Sequence, residues 1–84
     1  MIVLFKTTTC PKCNRLKIFL ETLDVKFDIF NMDEPKGMAE LYTAGVYATE
    51  APVLLIDGVY LLSSELFIGN EINESKIRQL IGKL

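Results

Sequence analysis

The feature that most constrains this chain is the segment Cys10-Pro11-Lys12-Cys13, which separates two kinds of periodicity. The apolar run at residues 2–5 before it is typical of a short buried strand. A helical pattern follows it, and Pro11 suits the first helical position, because its missing N–H would have no partner there. Cys10 is therefore predicted at the N-cap, where free backbone N–H groups and the helix dipole favour an anion. Such a position stabilises the thiolate form of a cysteine.

The two cysteines are spaced for redox chemistry. Cys13 lies one helical turn beyond Cys10 on the same face. Helix geometry places Cα atoms so spaced about 5 Å apart, within the window of roughly 4.4–6.8 Å that a disulfide requires. The pair can hold either a dithiol or a disulfide with little backbone movement. In a reducing cytosol such a lone pair is more often catalytic or metal-binding than structural.

The first half of the chain predicts two helices and a second strand. A helix is predicted over residues 11–23, with a core face of Leu16, Phe19, Leu20 and Leu23. Residues 25–31 predict a strand, which should run parallel to the first because a helix connects them. Asp33 is predicted to cap a second helix that has Pro35 in its first turn and ends near Gly45. Its inward-facing residues are expected to be Met38, Leu41 and Tyr42.

The second half predicts a hairpin and a terminal helix. Pro52 precedes the apolar strand 53–56, and Asp57-Gly58 is a strong hairpin signal before the strand 59–62. Ser63 or Ser64 is predicted to cap a short helical turn, and Asn73 the last helix. The apolar stripe of that helix is Ile77, Leu80, Ile81 and Leu84. The prediction is one α/β domain, residues 1–84, with a four-stranded mixed sheet flanked by helices.

Composition excludes several functional classes. The net charge is −2 with interspersed signs, so no basic patch predicts a nucleic acid or membrane partner. The longest apolar run is five residues, Met1 to Phe5, far short of a membrane span. Lys6 interrupts the first apolar stretch before the core of a signal peptide can form. We therefore expect a cytoplasmic protein that acts as a monomer.

The order strand, Cys-Pro-x-Cys, helix, strand, helix, Ala51-Pro52 before a hairpin, and terminal helix resembles the thioredoxin superfamily. The size is similar to glutaredoxins and to the glutaredoxin-like redoxins that reduce ribonucleotide reductase. The resemblance implies that Cys10 is the catalytic nucleophile and Cys13 the resolving thiol of a thiol-disulfide oxidoreductase. It also implies that Ala51–Pro52 is a cis peptide facing the dithiol, with the Ala51 backbone pairing with the substrate main chain.

Other residues receive weaker assignments. Thr9, Pro11 and Lys12 are predicted to support the active site, Lys12 by adding positive potential near Cys10. By resemblance Lys6 would meet a substrate carboxylate, and a plain edge charge is the alternative. Lys12 and Arg15 are alternatively solvated helix residues. Tyr47 and Thr49 are candidates for a substrate groove near Pro52, and the phenylalanines are assigned to packing.

The chain departs from glutathione-using glutaredoxins at the residues that hold glutathione. Those proteins carry Gly-Gly and then an acidic residue after the last strand, where this chain has Ser63-Ser64-Glu65. The aromatic residue often found between their cysteines is Lys12 here. We therefore expect a dithiol system of the thioredoxin-reductase type as reductant, protein disulfides such as that of ribonucleotide reductase as substrates, and no cofactor beyond the cysteine pair.

Three alternatives stay open from sequence. The first is a glutathione-dependent glutaredoxin. The second is a non-enzymatic redox sensor, which would change state without turnover. The third is a metal-binding module, although tetrahedral zinc needs four ligands and the chain has two cysteines and no histidine. A glutathione-ligated iron–sulfur cluster bridging two subunits is a variant of that third alternative.

Overall fold

The computed structural model describes residues 1–83. Its elements are β1 (Ile2–Lys6), α1 (Pro11–Thr22), β2 (Asp28–Asn31), α2 (Pro35–Thr43), β3 (Val53–Ile56), β4 (Val59–Leu61), α3 (Ser63–Leu66), β5 (Phe67–Ile68), β6 (Glu71–Ile72) and α4 (Glu74–Ile81). The main sheet has the order β2-β1-β3-β4. β1 runs parallel to β2 and antiparallel to β3, which pairs antiparallel with β4. The mixed four-stranded sheet is confirmed. Within the described residues, no helix is long and apolar enough to cross a membrane.

The apolar run of β1 is explained by burial on both faces of the sheet. Ile2 and Leu4 belong to a core cluster that includes α1 and α4. Val3 and Phe5, which alternate with them, belong to a second cluster on the opposite face with Leu41 of α2. The sheet therefore lies between two apolar layers, and β1 is one of its two central strands.

The second strand is shorter than predicted. Its ladder begins where Asp28 pairs with Val3, and only one residue of β1, Ile2, precedes Val3. Val25 and Phe27 lie before the strand and pack against the first cluster. Ile29 is 41% exposed, because β2 is an edge strand.

The second helix differs from the prediction at its N-cap and in its buried face. Its N-cap is Glu34 rather than Asp33, and Pro35 is its first residue as expected. Of the three residues predicted to face inward, Leu41 is buried, whereas Met38 and Tyr42 are 43% and 53% exposed. The reason is that α2 packs against β2 through the narrow face that contains Gly37 and Leu41. A side chain larger than hydrogen at position 37 would hold the helix away from the sheet.

Turn residues behave as predicted. Gly45 follows α2 with a φ of +78° and donates its N–H to the carbonyl of Tyr42 at 2.9 Å, which ends the helix. Asp57 and Gly58 both have positive φ, 45° and 88°, as a tight hairpin of this kind requires. At both turns the direction of the backbone is set by one or two residues with positive φ.

The C-terminal third differs in detail from prediction. α3 begins at Ser63, and the N-cap position belongs to Leu62, so neither serine caps the helix. The Glu65 carboxylate accepts a hydrogen bond from the Leu62 N–H at 3.3 Å instead. Asn73 is the N-cap of α4 as predicted, but its side-chain amide donates to the Glu65 carbonyl at 3.3 Å.

The small hairpin β5–β6 was not predicted from the sequence. Its strands are two residues long, too short for an alternating pattern, and Gly69 turns between them with a φ of +62°. The α4 residues Ile77, Leu80 and Ile81 pack against the first cluster as predicted. Leu84, the last residue of that predicted stripe, lies outside the described residues.

Candidate redox site

Cys10 occupies the N-cap of α1, as predicted. Its backbone is extended, and its carbonyl accepts the first helical hydrogen bond, from the Asn14 N–H at 3.1 Å. Its Sγ accepts a hydrogen bond from the Cys13 N–H, also at 3.1 Å. The sulfur thus takes the place of the oxygen that usually caps a helix. Pro11 is the first helical residue and supports this geometry.

The two cysteines form a disulfide, with their Cα atoms 5.2 Å apart. Cys13 is fully buried, whereas Cys10 is half-buried at the surface. A disulfide or thiol arriving from solvent therefore meets Cys10 first. This asymmetry fits the expected roles of nucleophile and resolving thiol.

A cavity of about 580 Å³ opens at Cys10. It is lined by the loop before α1, the first turn of α1 and the loop before β3, including Thr9, Pro11, Lys12, Arg15, Glu50 and Ala51. The structure therefore places Thr9, Lys12 and Ala51 beside Cys10. The sequence pattern predicted this for Thr9 and Lys12, and the family resemblance implied it for Ala51. A larger groove of about 750 Å³ runs along α1 and β2 but contains neither cysteine.

The loop before β3 contains a cis peptide between Ala51 and Pro52. This confirms the geometry that the family resemblance implied. Pro52 itself is buried, while Ala51 lines the cavity. The Ser63 hydroxyl donates to the Ala51 carbonyl at 3.4 Å and fixes the loop to the start of α3. Nothing in the sequence pattern pointed to this role of Ser63.

A second, smaller cavity adjoins the first. It has a volume of about 150 Å³, and Tyr47 and Thr49 contribute to its lining. Glu50 and Ser63 line both cavities. The predicted groove residues thus lie next to the cysteine cavity rather than in it.

A hydrogen-bonded contact between Thr8 and Asp33 holds the loop that leads to Cys10. The Asp33 carboxylate accepts from the Thr8 N–H at 3.1 Å and from the Thr8 hydroxyl at 2.9 Å. These bonds, followed by the nearby positive charge of Lys6, lower the pKa of the Asp33 carboxyl. Lys6 thus lies near Asp33, and the residues that line the Cys10 cavity do not include it. No local pattern in the sequence indicates this contact, because it joins residues 25 positions apart.

The Thr8–Asp33 contact predicts a pH-dependent stability. The folded-state pKa of Asp33 is depressed, so its contribution is fully present above the unfolded value of 3.8 and is lost as the pH falls through the folded value. Asp33→Asn should therefore be less stable than the parent chain at neutral pH, and the difference should shrink in acid. Urea unfolding of both chains at neutral pH and well below 3.8 measures this. The control variant is Asp28→Asn, which changes an exposed aspartate of β2. The prediction would be contradicted if the stability difference between Asp33→Asn and the parent chain were the same at both pH values.

Comparison with known proteins identifies the family. The glutaredoxin family model matches residues 2–61, which contain both cysteines and the cis-proline. The chain belongs to the glutaredoxin family. The matched region of this glutaredoxin-family chain ends with β4, so α3, β5–β6 and α4 lie beyond it.

Solved structures show the same fold. A mutant form of the thioredoxin-like protein BC3987 superposes with a TM-score of 0.73 at 23% identity, covering 96% of this chain and 94% of that one. Another structure of BC3987 gives a TM-score of 0.70 at 24% identity, covering 95% and 99%. The glutaredoxin (grx-1) from Archaeoglobus fulgidus superposes with a TM-score of 0.66 at 23% identity, covering 95% of this chain and 84% of that one. These likenesses confirm the thioredoxin-like fold. A search of curated proteins finds no match.

Proposed function

We propose that this glutaredoxin-family chain is a dithiol-disulfide oxidoreductase that reduces protein disulfides. One observation carries the proposal. The Cys10 sulfur stands at a helix N-cap in an open cavity, and the buried Cys13 sulfur lies directly behind it. A nucleophile that substrate can reach and a resolving thiol that it cannot reach are the two parts that this reaction requires.

The reaction proceeds in two exchange steps. The Cys10 thiolate attacks one sulfur of the substrate disulfide, whose S–S bond breaks as a mixed disulfide forms, and the other substrate sulfur leaves as a thiolate. Cys13 then loses its proton and attacks the Cys10 sulfur, which releases the first substrate sulfur as a thiolate. The substrate gains two electrons and takes up two protons, and the Cys10–Cys13 disulfide is left oxidised.

The site favours each step by a separate physical means. The Cys13 N–H, 3.1 Å from the Cys10 sulfur, stabilises the Cys10 thiolate together with the helix dipole once the disulfide is reduced. The short Cα separation of 5.2 Å gives the second attack a high effective concentration. The chain has no histidine, so the proton of Cys13 passes to water, to a nearby carboxylate or to the departing substrate thiolate.

The groups after β4 support a dithiol reductant rather than glutathione. Ser63 is engaged with the Ala51 carbonyl, and the Glu65 carboxylate is engaged with the Leu62 N–H and lies 3.5 Å from the Lys76 ammonium. Ser63 and Glu65, two of the three residues at the Gly-Gly and acidic positions of glutathione-using proteins, thus make contacts within the fold here. We place the protein in the cytoplasm as a monomer, with ribonucleotide reductase among its substrates and no cofactor beyond the cysteine pair.

Coupled NADPH oxidation tests the choice of reductant. With a protein disulfide as substrate, we expect turnover when a thioredoxin reductase recycles the chain, and little turnover with glutathione and glutathione reductase. Omitting the chain from each mixture is the control. Turnover with glutathione alone would establish a glutathione-dependent glutaredoxin instead. Stoichiometric oxidation without turnover in either system would indicate a redox sensor.

Metal binding is tested separately. Among residues 1–83, no three side chains of the metal-binding types cluster together. A bound zinc ion would therefore draw ligands from outside the described part of the chain. Metal content after purification under reducing conditions distinguishes such a module from the proposed oxidoreductase.

A further inference from the structure

Two cationic side chains stand at the rim of the Cys10 cavity. Lys12 and Arg15 both line it, one from each side of Cys13 in the sequence. The ion pairs found in the described part of the chain involve other cations, namely the N-terminus, Lys76 and Arg78. Neither Lys12 nor Arg15 forms an ion pair with a carboxylate of the described residues. In a chain with a net charge of −2, this is a local reversal of sign beside the reactive sulfur.

The β5–β6 hairpin holds these two side chains in place. The Lys12 ammonium lies 5.1 Å from the ring centre of Phe67, and the Arg15 guanidinium lies 5.8 Å from it. Arg15 also donates from Nη1 to the Asn70 carbonyl at 2.7 Å. The Phe67 ring is nearly buried, so it is a fixed platform. Side chains that are already ordered lose less entropy when they bind a ligand.

One carboxylate also lines the cavity. Glu50 lines it next to Ala51, where the backbone is expected to meet the substrate main chain. A substrate strand lying across Cys10 would therefore meet two cationic side chains from α1 and one carboxylate from the loop before β3.

We propose that Lys12 and Arg15 select protein disulfides that carry an acidic side chain beside the target cysteine. The inference rests on the proposed function and adds the substrate class. An ammonium and a guanidinium bind carboxylates through charge-assisted hydrogen bonds, and the planar guanidinium suits them best. The fixing residues Phe67 and Asn70 lie beyond the region that the glutaredoxin family model matches. Lys12 and Arg15 themselves lie within the matched region.

The test uses three disulfide peptides that differ in one residue beside the cysteine: aspartate, asparagine or lysine. We measure kcat/KM for each, with dithiothreitol recycling the protein. We expect the parent chain to prefer the aspartate peptide over the asparagine peptide roughly fivefold at low salt, the size of a partly exposed ion pair. In Lys12→Gln/Arg15→Gln this ratio should fall to about one. The ratio isolates recognition, because an effect of Lys12 on the Cys10 thiolate acts on all three peptides alike.

Two control variants separate charge at the rim from total charge. Lys26→Gln/Lys83→Gln removes two charges from positions that do not line the cavity, and should keep the preference. Lys12→Arg/Arg15→Lys keeps both charges and should retain most of it. Raising the salt concentration should reduce the preference of the parent chain.

The outcomes of this test distinguish a failure of the charge selectivity from a failure of the proposed disulfide reduction. If the parent chain reduces all three peptides at equal rates, the charge selectivity is wrong while the oxidoreductase assignment stands. If it reduces none of them, the proposed function itself fails, and the inference with it. Glutathione disulfide also carries carboxylates and is the fourth substrate. A loss in the double variant with that substrate alone would assign the rim to glutathione and overturn the proposal for proteins.

Discussion

Replacing Cys10 by serine should reduce disulfide reduction to the background rate, because the hydroxyl that remains is not ionised near neutral pH and cannot attack a disulfide. The thiolate is the attacking species in this chemistry, and the cavity places only the Cys10 sulfur within reach of solvent. The backbone N–H groups around residue 10 are unchanged, so the loss is chemical rather than structural. Insulin reduction with dithiothreitol measures it.

Replacing Cys13 by serine should arrest the same reaction halfway. Cys10 can still attack, but no second thiol lies behind it to release the product. The variant should accumulate a covalent adduct, visible as the mass of chain plus substrate and reversed by dithiothreitol. The Cys10→Ser variant is the matched control and should form no adduct. Normal insulin reduction by that control, or an adduct formed through Cys13, would show that the two roles are wrongly assigned.

Replacing Gly37 by alanine is expected to destabilise the fold by about 2–3 kcal/mol, the upper part of the range for a core position that is overpacked. A Cβ at this position would overlap the backbone carbonyl of Asn31. That obstacle is main chain at the end of β2, so no side-chain rotation relieves it. The usual effect of this substitution inside a helix is the reverse, a gain of roughly 1 kcal/mol from helix propensity. Here the overlap exceeds that gain, and α2 must move away from the sheet.

Urea unfolding of the variant and parent chains measures this change in the free energy of unfolding. Gly82→Ala is the matched control, because Gly82 follows α4 with a negative φ of −65°. An added Cβ there lies 3.1 Å from the Arg78 carbonyl oxygen, a contact that a small shift relieves. The control should change stability by less than about 1 kcal/mol. A Gly37→Ala chain as stable as the parent would mean that α2 does not pack directly on the end of β2.

The Cys10 site shows how much local sequence can predict. Pro11 at the first helical position and a strand pattern before Cys10 were enough to place the sulfur at the N-cap, as observed. The cis geometry before Pro52 came from the family resemblance alone, because cis bonds are a small minority of X–Pro bonds in folded proteins. The hydrogen bond from Ser63 that fixes this loop had no signal, since it joins residues 12 positions apart.

Asp33 shows where local prediction fails. As an acidic residue just before a proline-led helix, it had the pattern of an N-cap, yet its carboxylate bonds to Thr8 instead. Both uses satisfy the same side chain, and only the position of the loop before α1 decides between them. Likewise, the pattern of α2 did not reveal that the helix approaches the sheet through Gly37, which leaves Tyr42 in solvent.

The sequence by itself determined the order of the main elements, the mixed sheet, the turns at Gly45 and Asp57-Gly58, and the placement of Cys10 at a helix start. These features follow from side-chain periodicity and from the backbone preferences of one or two residues, which act over a single turn or strand. Only the tertiary structure decided which partner Asp33 binds, which face of α2 is buried, and that Phe67 holds Lys12 and Arg15 beside the reactive sulfur. Those contacts join residues far apart in the chain, and their geometry exists only once the sheet and helices have packed.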